Sequence, residues 1–151
     1  MNHLRDTLSV KCPLPETRLR LAAYFVSLRK SSGVACMCLR VPMTSVNRAL
    51  GAALSREVRI EAKPAGDHQG FDTLIGIAWE AEGAAILPKF QGALKVRSDV
   101  QSDRSFIELE GNYWPPLDGL GQVFDSAIDH QITESTAHEL LKDLKRAIER
   151  P

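Results

Sequence analysis

The sequence predicts an α+β domain in which an antiparallel sheet carries its helices on one face. Three observations predict this class. Apolar residues recur at helical spacing in residues 15–30, alternate with polar residues at period two through the middle of the chain, and return to helical spacing after residue 117. Because the helical segments flank the run of strands instead of alternating with them, we expect the helices to lie together on one face of the sheet.

Composition limits the kind of protein this can be. The 151 residues suit one domain spanning 1–151, and 44% hydrophobic with 25% charged residues is typical of a globular protein. Lys+Arg and Asp+Glu both number 19, so no overall charge favours nucleic acid. No run of about 18 apolar residues predicts a membrane span, the N-terminus lacks a signal-peptide core, and three cysteines suit a reducing compartment. We therefore expect a cytoplasmic protein.

The first two elements are a short strand and a helix. Residues 8–12 (LSVKC) predict the strand, which Pro13 and Pro15 end. Pro15 also begins a helix predicted at 15–30, and Gly33 ends this helix. The helix has one apolar stripe, formed by Leu21, Ala22, Phe25 and Leu28.

Five strands with one apolar and one polar face follow. They are predicted at residues 35–43, 55–62, 73–81, 90–98 and 105–113. Their apolar faces include Met37, Leu39, Val41, Val58, Ile60, Ile75, Ile77, Trp79, Phe90, Leu94, Ile107, Leu109 and Tyr113. The last two strands are joined by DVQSDR, a connection of hairpin length, so they are expected to pair in antiparallel fashion. That pairing sets Lys95 and Arg97 near Glu108 and Glu110 on the polar face.

The segment GNYWPPLDGLGQVFD (111–125) predicts an abrupt change from strand to helix. Pro115 and Pro116 end the strand and begin the helical segment, and Gly119 and Gly121 indicate a close backbone approach. Residues 117–149 form either one kinked helix or two helices separated at 131–135, in which case Thr133 or Ser135 caps the second. The C-terminal part of this segment has its own apolar stripe, which contains Ala137, Leu140, Leu141, Leu144, Ala147 and Ile148.

Several of these residues together resemble a known superfamily. Trp79, PKFQG (88–92), IELEGNYWPPL (107–117) and the helix start ITEST (132–136) are similar to an uncharacterised, bacterial-type branch of the START-like, or SRPBCC, superfamily. That superfamily includes pollen-allergen-like proteins, polyketide cyclases and lipid-transfer domains. The resemblance implies a helix-grip fold, in which a curved antiparallel sheet surrounds a long C-terminal helix with a deep apolar pocket between them. The single long helix at 15–30 departs from the pair of short helices usual there.

The apolar face of the sheet supplies the candidate binding site. Trp79, Phe90 and Tyr113 are expected to line a cavity, with the Tyr113 hydroxyl orienting a ligand, or else to fill an ordinary core. The complete set of candidate cavity residues is Trp79, Phe90, Leu94, Ile107, Leu109, Tyr113 and Phe124. Trp114 has the opposite parity and is expected to be exposed or to cover an edge.

Motifs for catalysis or metal binding are weak. His130, Glu134 and His138 share a helix face at i+4 spacing, but a metal site needs a further convergent element. Cys36 and Cys38 point to the same face of one strand without two more soft ligands. Asp125 and Asp129 have no partner base or nucleophile at motif spacing, and phosphate-loop, GxSxG and HExxH motifs are missing from the sequence. We therefore expect no metal and no cofactor.

These observations favour a binding protein for a small apolar or amphipathic molecule. The alternatives are a cofactor-free enzyme of the polyketide cyclase or hydrolase type, using Tyr113 with His130 or an aspartate, and a protein-interaction module centred on Trp114 or the sheet edge. A hydrophobic strand edge is also compatible with a homodimer.

Overall fold

The computed structural model describes residues 2–28, 34–42, 55–64, 74–81, 88–99, 103–114 and 126–150. These residues form six strands and two helices. In chain order the elements are β1 (Asn2–Val10), α1 (Leu14–Ser27), β2 (Ala35–Pro42), β3 (Ser55–Pro64), β4 (Leu74–Ala81), β5 (Lys89–Ser98), β6 (Ser105–Trp114) and α2 (Ser126–Glu149).

The strands form one antiparallel sheet in the order β1-β6-β5-β4-β3-β2. From β2 to β6 each strand pairs with the next one in the sequence, so this part is a meander. The expected pairing of the last two strands is confirmed, with Phe90 opposite Tyr113 and Leu94 opposite Leu109. The edge opposite β2 is β1, which pairs with β6 along its whole length.

The first strand is longer and begins earlier than the sequence predicted. The prediction placed it at residues 8–12, whereas β1 covers Asn2–Val10. Within β1 only Leu4 and Val10 are buried, so its apolar alternation is weak. Its polar side chains instead interact with β6, as Arg5 does with Glu108, and that partner is about a hundred residues away in the sequence. The local sequence pattern therefore gives little indication of this strand.

Helix α1 is a single helix, as expected, with a proline in its first turn and Leu21 and Phe25 buried. A buried polar cluster fixes its start. The Thr17 and Ser105 hydroxyls lie 2.7 Å apart and 3.1 Å and 2.9 Å from the Cys12 carbonyl oxygen, so one hydroxyl donates to the other and the second donates to the carbonyl. The beginning of α1, the end of β1 and the beginning of β6 are thereby joined.

Helix α2 is continuous over 24 residues, so the break considered at 131–135 does not occur. Thr133 is buried inside the helix and does not cap it. The Thr136 hydroxyl donates to the carbonyl of Ile132 at 2.8 Å, which satisfies this buried polar group within the helix. The Pro115–Pro116 turn, Gly119, Gly121 and Asp125 lie outside the described residues, as do the side chains of Leu39, Val41, Val58 and Asp129.

The sheet curves around α2. This helix packs on β1, β6 and β2 and on α1. Helix α2 contacts the two edge strands, β1 and β2, more extensively than the middle strands β3, β4 and β5, as expected for a sheet that bends toward the helix.

A glycine pair supports this curvature. Gly92 and Gly111 lie directly opposite each other in β5 and β6. A Cβ added to Gly92 would lie 2.7 Å from the Gly111 Cα and 2.7 Å from Cζ of Phe90, and would also meet the Glu110 carbonyl oxygen. Only residues without a side chain allow the two strands and the Phe90 ring to approach this closely.

The core between the sheet and the helices is mainly aliphatic toward the C-terminal end of α2. The buried residues of that part of the helix have no measurable exposure and are Ala137, Leu140, Leu141, Leu144 and Ile148. Within the described ranges, neither helix is long and apolar enough to cross a membrane.

Candidate functional site

Three aromatic side chains form a row across the concave face of the sheet. Trp79 in β4 lies opposite Phe90 in β5, and Phe90 lies opposite Tyr113 in β6. Their exposed fractions are only 4%, 2% and 3%. The rings of Trp79 and Phe90 are stacked, with centroids 4.2 Å apart and planes inclined by 16°. We call these three residues the aromatic row, and it forms an apolar, almost fully buried part of the core.

The other candidate cavity residues described by the structure lie farther along the same face. Leu94 and Leu109 are paired across β5 and β6, and Ile107 lies opposite Val96. Ile107 and Leu109 are fully buried and Leu94 is 1% exposed, so the protein's own atoms cover them. Phe124 lies outside the described residues. Both described parts of this face are therefore closely packed, the aliphatic part and, at its other end, the aromatic row.

Tyr113 ends the row with a polar contact to α2. Its hydroxyl lies 2.8 Å from Nδ1 of His130, and the two ring centroids are 5.7 Å apart. The Nε2 atom of His130 lies 3.6 Å from the Glu134 carboxylate, one helical turn farther along α2. The helix period thus explains the His130–Glu134 contact, whereas the contact to Tyr113 depends on the packing of α2 against β6.

The neighbours of His130 favour one arrangement of its proton. Because a carboxylate only accepts hydrogen bonds, Glu134 favours the tautomer that carries the proton on Nε2. In that tautomer Nδ1 accepts the hydrogen bond and the Tyr113 hydroxyl donates it.

The predicted stripe of His130, Glu134 and His138 does not converge. His138 instead lies 3.3 Å from the Asp6 carboxylate on β1. Among the residues that the structure describes, no group of three or more His, Cys, Asp or Glu side chains could hold a metal ion. Cys36 is half-buried and accepts a weak hydrogen bond from Arg59 at 3.7 Å, while Cys38 is exposed.

The buried stripe of α2 changes character along its length. Its N-terminal half contributes the buried threonines Thr133 and Thr136 beside Ile132 and Ala137, and its C-terminal half contributes only aliphatic residues such as Leu140 and Leu144. The polar half also carries His130, which contacts Tyr113. The aromatic row and this half of α2 therefore combine apolar side chains with a few polar groups, the combination that small-molecule sites also use.

A charged cluster centred on Glu108 lies on the opposite, convex face of the sheet. Glu108 there is contacted by Arg5 at 2.9 Å and by Arg97 at 3.4 Å, and its side chain is only 7% exposed. Burial by itself would raise the pKa of Glu108. The hydrogen bond from Arg5, the charges of Arg5 and Arg97 and a hydrogen bond from Thr7 outweigh burial and hold this pKa below its ordinary value.

Of the charge contacts on the convex face, the sequence predicted one and missed another. The predicted proximity of Arg97 and Glu108 is confirmed, but the role of Arg5 was missed because the first strand had been placed too late in the sequence. Trp114 has the opposite parity to Tyr113, as expected, and is partly buried. This cluster ties β1, β5 and β6 together and does not touch the aromatic row.

Comparison with known proteins shows the fold. No protein-family model and no curated protein matches the sequence. Among solved structures, the Zhui aromatase/cyclase from a Streptomyces species is similar with a TM-score of 0.62 and 14% identity, over 99% of this chain and 94% of that one.

Two further structures are similar in the same way. A START superfamily protein from Mycobacterium smegmatis has a TM-score of 0.56 and 10% identity, over 99% of this chain and 98% of that one. An uncharacterized protein from Bacillus thuringiensis has a TM-score of 0.57 and 13% identity, over 98% and 99% of the two chains. The chain therefore has the helix-grip fold of START-like proteins, and the fold that the sequence resemblance implied is confirmed.

Proposed function

We propose that this protein binds a small amphipathic molecule between the aromatic row and the N-terminal half of α2. The observation that carries the proposal is the row Trp79–Phe90–Tyr113, which ends in the hydrogen bond between Tyr113 and His130. The apolar part of the ligand would lie against the rings, and its polar group would face Tyr113. The helix-grip fold supports the proposal because it holds a helix against a curved sheet, where a ligand can be enclosed.

The apolar surface that a ligand buries on binding sets the scale of its affinity. A two-ring ligand that buries about 300 Å² of apolar surface gains about 7.5 kcal/mol, at about 25 cal/mol per Å². One hydrogen bond to Tyr113 adds about 1 kcal/mol. Loss of translational and rotational freedom opposes both contributions, so we expect micromolar dissociation constants for simple two-ring compounds.

Tryptophan fluorescence tests this proposal directly. The sequence has two tryptophans, so replacing Trp114 by Phe leaves Trp79 as the only reporter. Titration of this variant with 2-tetralone, a two-ring ketone, should quench Trp79 in a saturable manner. Native mass spectrometry after mild purification should also detect a retained small molecule.

A matched pair of variants locates the binding surface. Phe90→Leu, in the aromatic row, should weaken 2-tetralone binding about tenfold. Phe106→Leu, on the convex face where Arg97 lies 5.4 Å above its ring, should not change binding. Equal effects of the two substitutions, or no saturable quenching, would contradict the proposal.

A second candidate function is a cofactor-free enzyme of the polyketide cyclase or hydrolase type. One observation favours it: the 2.8 Å contact joins an acid/base side chain, His130, to a buried hydroxyl on the proposed binding surface. The interaction module centred on Trp114, a homodimer, the cytoplasmic location and the single-domain assignment stay predictions from the sequence.

A further inference from the structure

Tyr113, His130 and Glu134 form a connected series of groups whose exposure increases from the core to the surface. Tyr113 is 3% exposed, the His130 side chain is 46% exposed and the Glu134 side chain is 60% exposed. The connecting distances are 2.8 Å from the Tyr113 hydroxyl to Nδ1 of His130 and 3.6 Å from Nε2 to the Glu134 carboxylate. A buried hydroxyl is thus linked to solvent by two titratable side chains.

The rest of α2 shows that this arrangement is not a general property of its histidines. His138 lies on the same helix and also faces a carboxylate, that of Asp6 at 3.3 Å. Its side chain is 51% exposed, similar to that of His130, but it contacts the edge strand β1 and not the aromatic row. His130 alone of these two connects the aromatic row to the surface.

We propose that Tyr113, His130 and Glu134 form a proton relay, through which Tyr113 acts as a general base or acid toward a ketone held on the aromatic row, one whose acidic C–H lies between an aromatic ring and the carbonyl. This inference rests on the proposed binding function and adds a chemical activity to it. Tyr113 would be the catalytic residue, since its oxygen contacts the ligand. His130 would be a positioning residue that receives and returns the proton, and Glu134 one that stabilises the positive charge His130 then carries.

The proton movements balance without any other reactant. As the C–H bond next to the ligand carbonyl breaks, its proton passes to the Tyr113 oxygen, and the Tyr113 proton passes to Nδ1 of His130. The electron pair stays on the ligand as an enolate. His130 then carries a proton on each nitrogen, and the Glu134 carboxylate lies beside its positive charge. The reverse movement returns a proton to the carbon, and exchange at the half-exposed His130 lets this proton come from solvent.

Hydrogen–deuterium exchange of 2-tetralone tests the relay. In D₂O, proton NMR follows the loss of the C1 methylene signal, and the wild-type protein should accelerate this loss above the rate in buffer. Positioned acid/base groups contribute about 100-fold or more, so Tyr113→Phe should remove most of the acceleration, and Glu134→Gln should lower it about tenfold. His138→Gln is the matched control and should keep the wild-type rate.

Chemical rescue separates a proton-transfer role of His130 from a structural one. His130→Ala should lose the acceleration and regain part of it when imidazole is added, because the small base can occupy the vacated position. Circular dichroism shows whether each variant is folded. If folded His130→Ala is inactive and imidazole restores nothing, the relay through His130 is wrong.

Binding measurements on the same samples distinguish failure of the relay from failure of the binding proposal. If Trp79 fluorescence shows that 2-tetralone binds while the wild type gives no acceleration, or Tyr113→Phe exchanges as fast as wild type, the relay is refuted and binding stands. If 2-tetralone does not bind, both proposals fall.

Discussion

Replacing Gly92 by alanine should destabilise the protein and disturb the aromatic row. The added Cβ would lie 2.7 Å from both the Gly111 Cα and Cζ of Phe90, and would also meet the Glu110 carbonyl oxygen. Two of these three atoms belong to the backbone of β6, so rotation of a side chain cannot relieve the crowding. Overpacking of this kind costs about 3 kcal/mol, and the lower entropy of alanine in the unfolded chain offsets about 0.5–1 kcal/mol.

The expected net loss is therefore about 2 kcal/mol. For a protein of this size it corresponds to a decrease in Tm of about 4–8 °C. Differential scanning calorimetry measures this decrease, and Trp79 fluorescence in the Trp114→Phe background reports displacement of the Phe90 ring. Gln91→Ala, at the adjacent exposed position, is the control and should change stability by less than about 0.5 kcal/mol. A Gly92→Ala protein as stable as the control would refute the argument that the paired glycines permit the close strand approach.

Two further predictions concern the convex face and the core. The pKa of Glu108 is lowered in the folded state, so the stability it contributes is present above its ordinary value of 4.5 and is lost as pH falls through the folded value. Glu108→Gln should therefore flatten the decrease of the urea midpoint below about pH 4.5, and an unchanged slope would contradict this. Leu140→Ala, at a fully buried position of α2, should cost about 2–5 kcal/mol in urea unfolding, whereas Leu19→Ala, at a 71% exposed position of α1, should be nearly neutral.

The sequence predicted the parts of the fold that depend on local periodicity. The strands from Ala35 to Trp114 and the helix at Leu14–Ser27 follow alternation and helical spacing, and the buried positions described, such as Ile60, Ile75 and Leu21, lie on the faces expected. Strand β1 was misplaced because its stability depends on pairing with β6 and on the Arg5–Glu108 contact, neither of which leaves a local pattern. The break in α2 was considered because ITEST resembles a helix start, but burial of Thr133 and Thr136 outweighs that preference.

The candidate site was predicted in its parts and not in its connections. Period-two alternation placed Trp79, Phe90 and Tyr113 on one face, and the strand pairing brings them into one row. Helical spacing suggested the His130–Glu134 contact, which the structure contains. The sequence named His130 beside Tyr113 only as one alternative to an aspartate, because their contact depends on how α2 crosses the sheet.

The position of β1 has a consequence for how the chain folds. Its partner β6 is separated from it by about a hundred residues, as the Arg5–Glu108 contact shows, so this edge of the sheet can form only when a loop of that length closes. Contacts between such distant residues slow folding, because a large loop must be closed before they contribute any stability. We therefore expect a folding time in the millisecond to second range. During synthesis, β1 would stay unpaired until β6 has left the ribosome.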